Sequence, residues 1–245
     1  MDEKLGKLIS CINQAESCAA FTGAGVSTFS GIPDFRGQNG LYTKLDADRI
    51  FDYYQFLEEP EYFYSQSKEF LYDEKKIKPS LIHKELARLE KKGIIKAVIT
   101  QNIDMLHKKA GSINVMEIHG SPEIHSCMNC HKKYSYSEVI KKLKDSDIPE
   151  CDECSGTLKP EITFYGEQLP VNAFESAAAA CRKSDLLLVL GSSLLVYPAA
   201  SLPMNTVNSG GRLVIINNMP TPLDDYACLL FPDLEEVFSY IGKEI

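Results

Sequence analysis

The sequence predicts an α/β protein: a doubly wound parallel sheet that carries a smaller module made from two insertions. Three observations predict it. Four short apolar runs rich in β-branched residues alternate with stretches of helical periodicity, the pattern of parallel strands covered on both faces. Two long segments interrupt the alternation. One of them contains two CxxC pairs.

The runs are CAAFTG ending at Gly23, IIKAVIT ending at Thr100, DLLLVLG ending at Gly191 and RLVIIN ending at Asn217. A shorter run, NVMEIHG, ends in His119 and Gly120. Each is too short for a buried helix and ends in a turn residue, which favours strands. Helices are expected over residues 4–16, 81–91, 172–183 and 198–209, where apolar residues return at three- and four-residue spacing. The interrupting segments are residues 46–78, crowded with aromatics such as Phe51, Tyr53, Phe56, Phe63 and Tyr72, and residues 125–157, with the cysteines and many lysines. Insertions after sheet strands overlie the end of the sheet where such folds bind ligands, so the module is expected to close a cleft there.

Composition excludes several classes. With 44% hydrophobic residues and 24% charged ones over 245 residues, the chain can bury a full core and is no disordered tail. The beginning of the chain, MDEKLGKLISCINQAE, mixes charges with apolar residues at helical spacing and reads as neither signal peptide nor membrane span, so a cytoplasmic protein is expected. A net charge of −8 argues against nonspecific nucleic-acid binding and suits a basic partner. Nothing fixes the oligomeric state, and a monomer is compatible with the sequence.

Cys127, Cys130, Cys151 and Cys154 form CxxC, an intermediate loop and a second CxxC, a spacing that presents four thiolates tetrahedrally to zinc. Four sulfur ligands leave no open position, so the metal is expected to be structural. Two disulfides are the competing reading, disfavoured in a reducing compartment. His125 and His131 flank the first pair and read as surface histidines. Cys11, Cys18, Cys181 and Cys228 read as core thiols.

After the first run comes TGAGVSTFSGIPDFRG, residues 22–37. Gly23 and Gly25 at a strand-to-helix turn are expected to let backbone approach the pyrophosphate of a dinucleotide, with Ala24 between them. The usual third glycine is absent, since Thr28 stands there, and a tight turn without a ligand is the alternative for GAG alone. The continuation through Pro33, Asp34, Phe35 and Arg36 is far less easily matched by chance. Further along, TQNIDMLH places Gln101, Asn102, Ile103 and Asp104 at the end of a strand, where Asn102 and Asp104 could also cap the next helix. GSSLLVYP places Gly191, Ser192 and Ser193 after another strand, with helix capping again the alternative.

GAGVSTFSGIPDFRG, QNID, HG and the four-cysteine set, in this order, resemble the sirtuin family in its bacterial type; the resemblance runs over residues 18–225. It implies a Rossmann-like NAD-binding domain over residues 1–42, 80–123 and 158–245, and a helical and zinc-binding module over residues 43–79 and 124–157. It implies NAD as a consumed co-substrate: nicotinamide leaves, the acyl oxygen of a modified lysine attacks the ribose, and the acyl group ends on ADP-ribose. His119 is the implied general base, Asn102 orients the ribose or a water, and Ile103 and Asp104 receive the nicotinamide carboxamide. Phe35 is the implied shield against water, with Thr28, Arg36, Gln101, Gly191, Ser192, Ser193 and Asn217 as further cofactor contacts. His83 also matches a family position, although its apolar helical setting favours packing or a hydrogen bond.

The resemblance further implies that acetylated-lysine proteins or peptides add a strand between PEITFYGEQLP and Val196, with Thr163, Tyr165 and Gly166 as contacts. Thr163 and Tyr165 depart from the family's common Val and Phe. A desuccinylase-type member would carry a Tyr and, three residues later, an Arg; here Tyr64 is followed by Ser67. Acetyl or another neutral acyl group is therefore expected. Transfer of ADP-ribose to protein by the same residues, and a non-enzymatic zinc-ribbon binding protein, are the alternatives; hydride transfer fits poorly with the incomplete glycine fingerprint.

Overall fold

The structure is a computed structural model that describes residues 2–34, 46–73 and 77–245. Its main sheet has six parallel strands: β1 (Cys18–Thr22), β2 (Ile95–Thr100), β3 (Val115–Glu117), β7 (Leu186–Leu190), β8 (Arg212–Ile216) and β9 (Ala227–Phe231). They lie in the order β3-β2-β1-β7-β8-β9. The order reverses direction between β1 and β7, and the crevice at that switch is where doubly wound sheets bind ligands.

The alternating side chains of each strand enter two aliphatic layers. Ala20, Leu188, Leu190 and Val214 pack under α1 (Asp2–Gln14), the helix Leu81–Lys91 and the helix Leu234–Glu244. Phe21, Leu187, Val189 and Ile215 pack under Val171–Lys183 and Leu202–Asn208. Every residue of β1 and β7 is buried, which is why those strands read as unbroken apolar runs. The helix expected over residues 198–209 is two pieces, a 3-10 turn Ala199–Ser201 and then Leu202–Asn208, with Pro203 in its first turn.

Two expectations about single residues are corrected. Cys228 is exposed because β9 is an edge strand whose residues alternate between core and solvent, and Cys11, on α1, is half-buried at the margin of the core; of these four, Cys18 and Cys181 are core thiols. His125 is buried, not a surface histidine: it sits on β4 (Gly120–Cys127), between β5 (Lys133–Ser135) and β6 (Leu158–Ile162), and its Nε2 lies 2.9 Å from the Tyr72 hydroxyl. His131 is exposed.

The small three-stranded antiparallel sheet β5-β4-β6 packs against the aromatic helices Tyr53–Glu58 and Pro60–Leu71. Phe56, Phe63 and Phe164 meet mostly edge to face, with centroids 5.1–5.5 Å apart. This third core includes Leu158, Ile162 and Phe164, so it continues through β6 toward the main sheet.

Candidate active site

The cleft opens over the carboxyl ends of β1 and β7, with a volume of about 780 Å³. It is lined by every residue expected to touch cofactor or peptide, except Phe35 and Arg36, which lie outside the described residues.

The glycine loop leaves β1 through two 3-10 turns, Ala24–Val26 and Thr28–Ser30, in place of the expected α-helix start. The N–H groups of Gly23 and Gly25 donate to the carbonyls of Leu190 and Gly191, both at 2.9 Å. A Cβ on Gly23 would stand 2.7 Å from the Gly191 oxygen, and one on Gly25 2.7 Å from the Gly191 Cα. The glycines are thus required because two loops touch, and the amides of Gly23 and Gly25 are spent holding β1 to β7. Gly191 itself has φ +58°, in the left-handed region.

Around this contact the polar side chains hold one another. Asn102 Nδ2 donates to the Gly23 carbonyl at 3.0 Å and to Ser27 Oγ at 3.1 Å. Ser27 Oγ donates to Asp104 Oδ2 at 2.6 Å, and the Leu106 N–H donates to Asp104 Oδ1 at 2.8 Å. Asp104 thus accepts the first N–H of the helix Leu106–Ala110, whose N-cap position is held by Met105, while Asn102 faces the glycine loop instead. Burial raises the Asp104 carboxyl above its usual range, against the bonds from Ser27 and Leu106. Met105 and Leu194, which follow the strand ends that carry Asn102 and Ser192, hold φ of 60° and 55°, conformations strained for residues with side chains. Ser27 was not singled out in the sequence; its only signal there is a hydroxyl two residues after Gly25.

His119 has one ring nitrogen fixed. Its Nδ1 lies 2.7 Å from the Gln101 carbonyl, which can only accept, so the neutral ring carries its proton on Nδ1 and presents the Nε2 lone pair. Burial lowers its pKa, opposed by that bond, so the neutral base persists at neutral pH. Gln101 is anchored in turn, its Nε2 donating to Ser192 Oγ at 2.7 Å. Asn217 Nδ2 donates to the Met219 carbonyl at 2.8 Å, and both residues line the cleft past the end of β8.

His83 lies behind the site. Its Nδ1 is 2.7 Å from Ser80 Oγ, which donates to the Val26 carbonyl at 3.0 Å, so the cap of the helix Leu81–Lys91 also ties down the glycine loop. That is the hydrogen-bonding role its setting predicts. Next to it His107 Nε2 meets Thr22 Oγ1 at 2.9 Å.

The substrate-side residues Thr163, Tyr165, Gly166 and Val196 all line the cleft. Tyr165 has both main-chain groups engaged, its N–H donating to Phe51 O at 2.7 Å and its carbonyl accepting from Tyr53 N–H at 3.1 Å. Thr163 N–H donates to His119 O at 2.8 Å. These bonds occupy both main-chain groups of Tyr165 and the N–H of Thr163. Tyr64 and Ser67 do not line the cleft: the Tyr64 hydroxyl donates to Leu158 O at 2.5 Å and Ser67 Oγ to Phe63 O at 2.6 Å, inside the module core. Their identity therefore says little about the acyl group. Among the described lining residues there is no Lys or Arg, so they offer no cation to an acyl carboxylate.

Beyond the cleft, the sulfurs of Cys127, Cys130, Cys151 and Cys154 lie within 4.8 Å of one another. The N–H groups of Asn129 and Cys130 point at Cys127 Sγ at 3.4 Å, and Tyr134 donates to Cys151 Sγ at 3.2 Å, lowering that thiol to about 6. A Cβ on Gly156 would come 2.9 Å from Cys127 Sγ. Converging thiols with N–H and O–H donors fit a zinc ion, and an all-sulfur set suits a structural one.

Comparison with known proteins follows the same lines. The Sir2 family model matches residues 23–198. The NAD-dependent protein deacetylase of Thermotoga maritima is 49% identical over 228 residues, 93% of this chain and 92% of that one. A solved Sir2 variant with a deacetylated p53 peptide and 3′-O-acetyl ADP-ribose superposes with a TM-score of 0.92 at 47% identity, covering 98% of both chains. Sir2Tm bound to a propionylated peptide gives a TM-score of 0.89 at 45% identity, again over 98% of both chains. With its strand order, its glycine interlock and its four cysteines all accounted for, the chain belongs to the Sir2 family.

Proposed function

We propose that this protein removes acetyl and other small neutral acyl groups from protein lysines, consuming NAD. The observation that carries the reading is His119: a neutral imidazole, fixed by the Gln101 carbonyl, that offers Nε2 to the same cleft as the glycine loop and the Asn102–Ser27–Asp104 chain. The relatives named above act on or hold the corresponding molecules.

NAD, when bound, supplies a ribose carbon that becomes electrophilic as nicotinamide leaves. The residues do the rest. Ala24, Thr28, Ser192, Ser193 and Asn217 line the path for phosphates and adenosine, with Gly23, Gly25 and Gly191 keeping the two loops in contact. Asn102, Ile103 and Asp104 lie at the nicotinamide end. There Asn102 Oδ1 orients the ribose, and Asp104, held by Ser27, meets the carboxamide. His119 takes a proton at Nε2 from a ribose hydroxyl, a general-base contribution of about 10²–10⁴ in rate. Phe35 and Arg36 are assigned to the same cleft from the motif. Thr163, Gly166 and Val196 border the peptide side, with Tyr165 at the rim.

Residues 43–79 and 124–157 are assigned to the inserted module, and residues 1–42, 80–123 and 158–245 to the NAD-binding domain; most of the aromatic core comes from the module, and Met105, Leu158, Ile162 and Phe164 join it from the larger domain. Zinc on the four cysteines holds the module and takes no part in the reaction. A cytoplasmic site of action is part of this proposal. No helix among the described residues is long and apolar enough to cross a membrane.

Incubation with NAD and an acetyl-lysine peptide, followed by mass spectrometry, tests the reading. The expected products are nicotinamide, free lysine and acetylated ADP-ribose, and His119→Ala is expected to lower kcat by about 10²–10⁴ while retaining zinc and its thermal midpoint. A peptide that gains ADP-ribose would establish the transferase alternative, and NAD left intact would overturn both.

A further inference from the structure

Lys159 is a lysine where lysines are seldom found. It lies on β6 with only 8% exposure, and its charge has no part in the scheme above. Its Nζ donates to Glu167 Oε2 at 2.8 Å and to the Ile162 carbonyl at 3.0 Å, and stands 4.2 Å from the centre of the Phe164 ring. The same Glu167 oxygen accepts the Phe164 N–H at 2.8 Å, and the Glu167 N–H returns to the Phe164 carbonyl at 3.0 Å. One ion pair, its ammonium buried and its carboxylate half-buried, thus closes residues 163–166 into a loop.

That loop is the peptide side of the cleft. Phe164 and Thr163 both line it, Phe164 is otherwise wedged among Phe51, Phe56 and Phe63, and the Thr163 N–H holds the carbonyl of His119. We propose that Lys159 and Glu167 are a positioning pair for the acylated peptide, setting the placement of Phe164 and Thr163 and so acting on peptide binding through them. The inference rests on the deacylase reading. Burial lowers the Lys159 pKa, and Glu167 opposes the loss of charge. An apolar pair of equal volume is often at least as stable as a buried ion pair, so stability alone gives no reason for these charges. Short directional bonds from one ammonium to a carboxylate and a carbonyl fix a loop in one conformation, which apolar contacts do less sharply.

Steady-state deacetylation, with peptide varied at saturating NAD and NAD varied at saturating peptide, tests the pair. Lys159→Met is expected to raise the peptide KM about tenfold and leave the NAD KM within about twofold; Lys159→Arg is expected to restore the peptide KM to within about threefold. Because Lys159→Met takes the ammonium from a half-buried carboxylate and leaves it only the Phe164 N–H, a double variant, Lys159→Met with Glu167→Leu, supplies the control. It is expected to recover most of the parent's thermal midpoint while its peptide KM stays high. A peptide KM that returns to normal with the midpoint, or that never changes in Lys159→Met, would overturn the positioning role. A parent enzyme without NAD-dependent deacetylation would instead overturn the proposed function, before any variant is compared.

Discussion

The six-stranded and three-stranded sheets are held together by different forces. In the first, Leu186–Leu190 is buried residue by residue between two aliphatic layers, and its stability comes from apolar area removed from water. In the second, aromatic rings cover one face, and buried polar groups (His125 with Tyr72, Lys159 with Glu167) and four converging thiols supply the rest. A small body with little aliphatic core depends on cross-links and directional bonds. Perturbations should therefore separate the two, and the largest ones should do so most clearly.

Removing zinc is the strongest test, since structural zinc in small domains carries about 10–16 kcal/mol of apparent folding free energy. A chelator, or Cys151→Ser, is expected to abolish amide protection over β4, β5 and the helices of the module, while β1, β7 and β8 keep theirs by hydrogen exchange. Equal loss in both sheets would erase the distinction. Next in size, Leu188→Ala empties a site between the aliphatic layers and is expected to cost about 2–5 kcal/mol in urea unfolding, with zinc content unchanged.

Acid comes third. Burial lowers the His83 pKa from 6.5 to about 4. Below pH 6.5 the unfolded chain takes up a proton that the folded chain refuses until about pH 4, so stability should fall between these values as pH falls and level off beneath them. The slope from this one residue is at most about 1.4 kcal/mol per pH unit. Urea midpoints from pH 7 downward, compared with His83→Asn, would check it; an equal slope in the variant would assign the acid sensitivity elsewhere, His107 being the nearest candidate since burial also holds its pKa well below normal. The smallest effect is expected at the exposed Lys7–Glu3 pair, where Lys7→Ala should change stability by less than about 0.5 kcal/mol, in either salt or water.

How far the sequence could be read follows the same division. β1 and β7 were legible because strands covered on both faces are apolar without interruption, and β2 and β8 because only Lys96 and Arg212 break theirs. β9 was not, because an edge strand buries alternate residues and shows Cys228 to solvent. The four cysteines announced their site by spacing alone, and the residues expected to line the cleft do line it, apart from Phe35 and Arg36 outside the described residues. What spacing could not tell was which polar group meets which. The hydroxyl of Ser27, the burial of His125 and the Lys159–Glu167 pair all depend on partners brought together from distant strands, and a periodicity argument has no access to them. Tyr64 and Ser67 show the converse: they occupy positions read in the sequence for acyl specificity, Ser67 in place of an Arg, and in the structure they face the aromatic core.

The contact among Gly23, Gly25 and Gly191 has one more consequence. Since any side chain there would pry the two loops apart, this floor offers natural variation nothing to work with short of dismantling the crevice. Divergence among enzymes built this way should accumulate at the walls and rim, where Thr163, Tyr165 and Tyr197 can change without moving the backbone beneath them. Libraries intended to alter acyl preference are best confined to those positions.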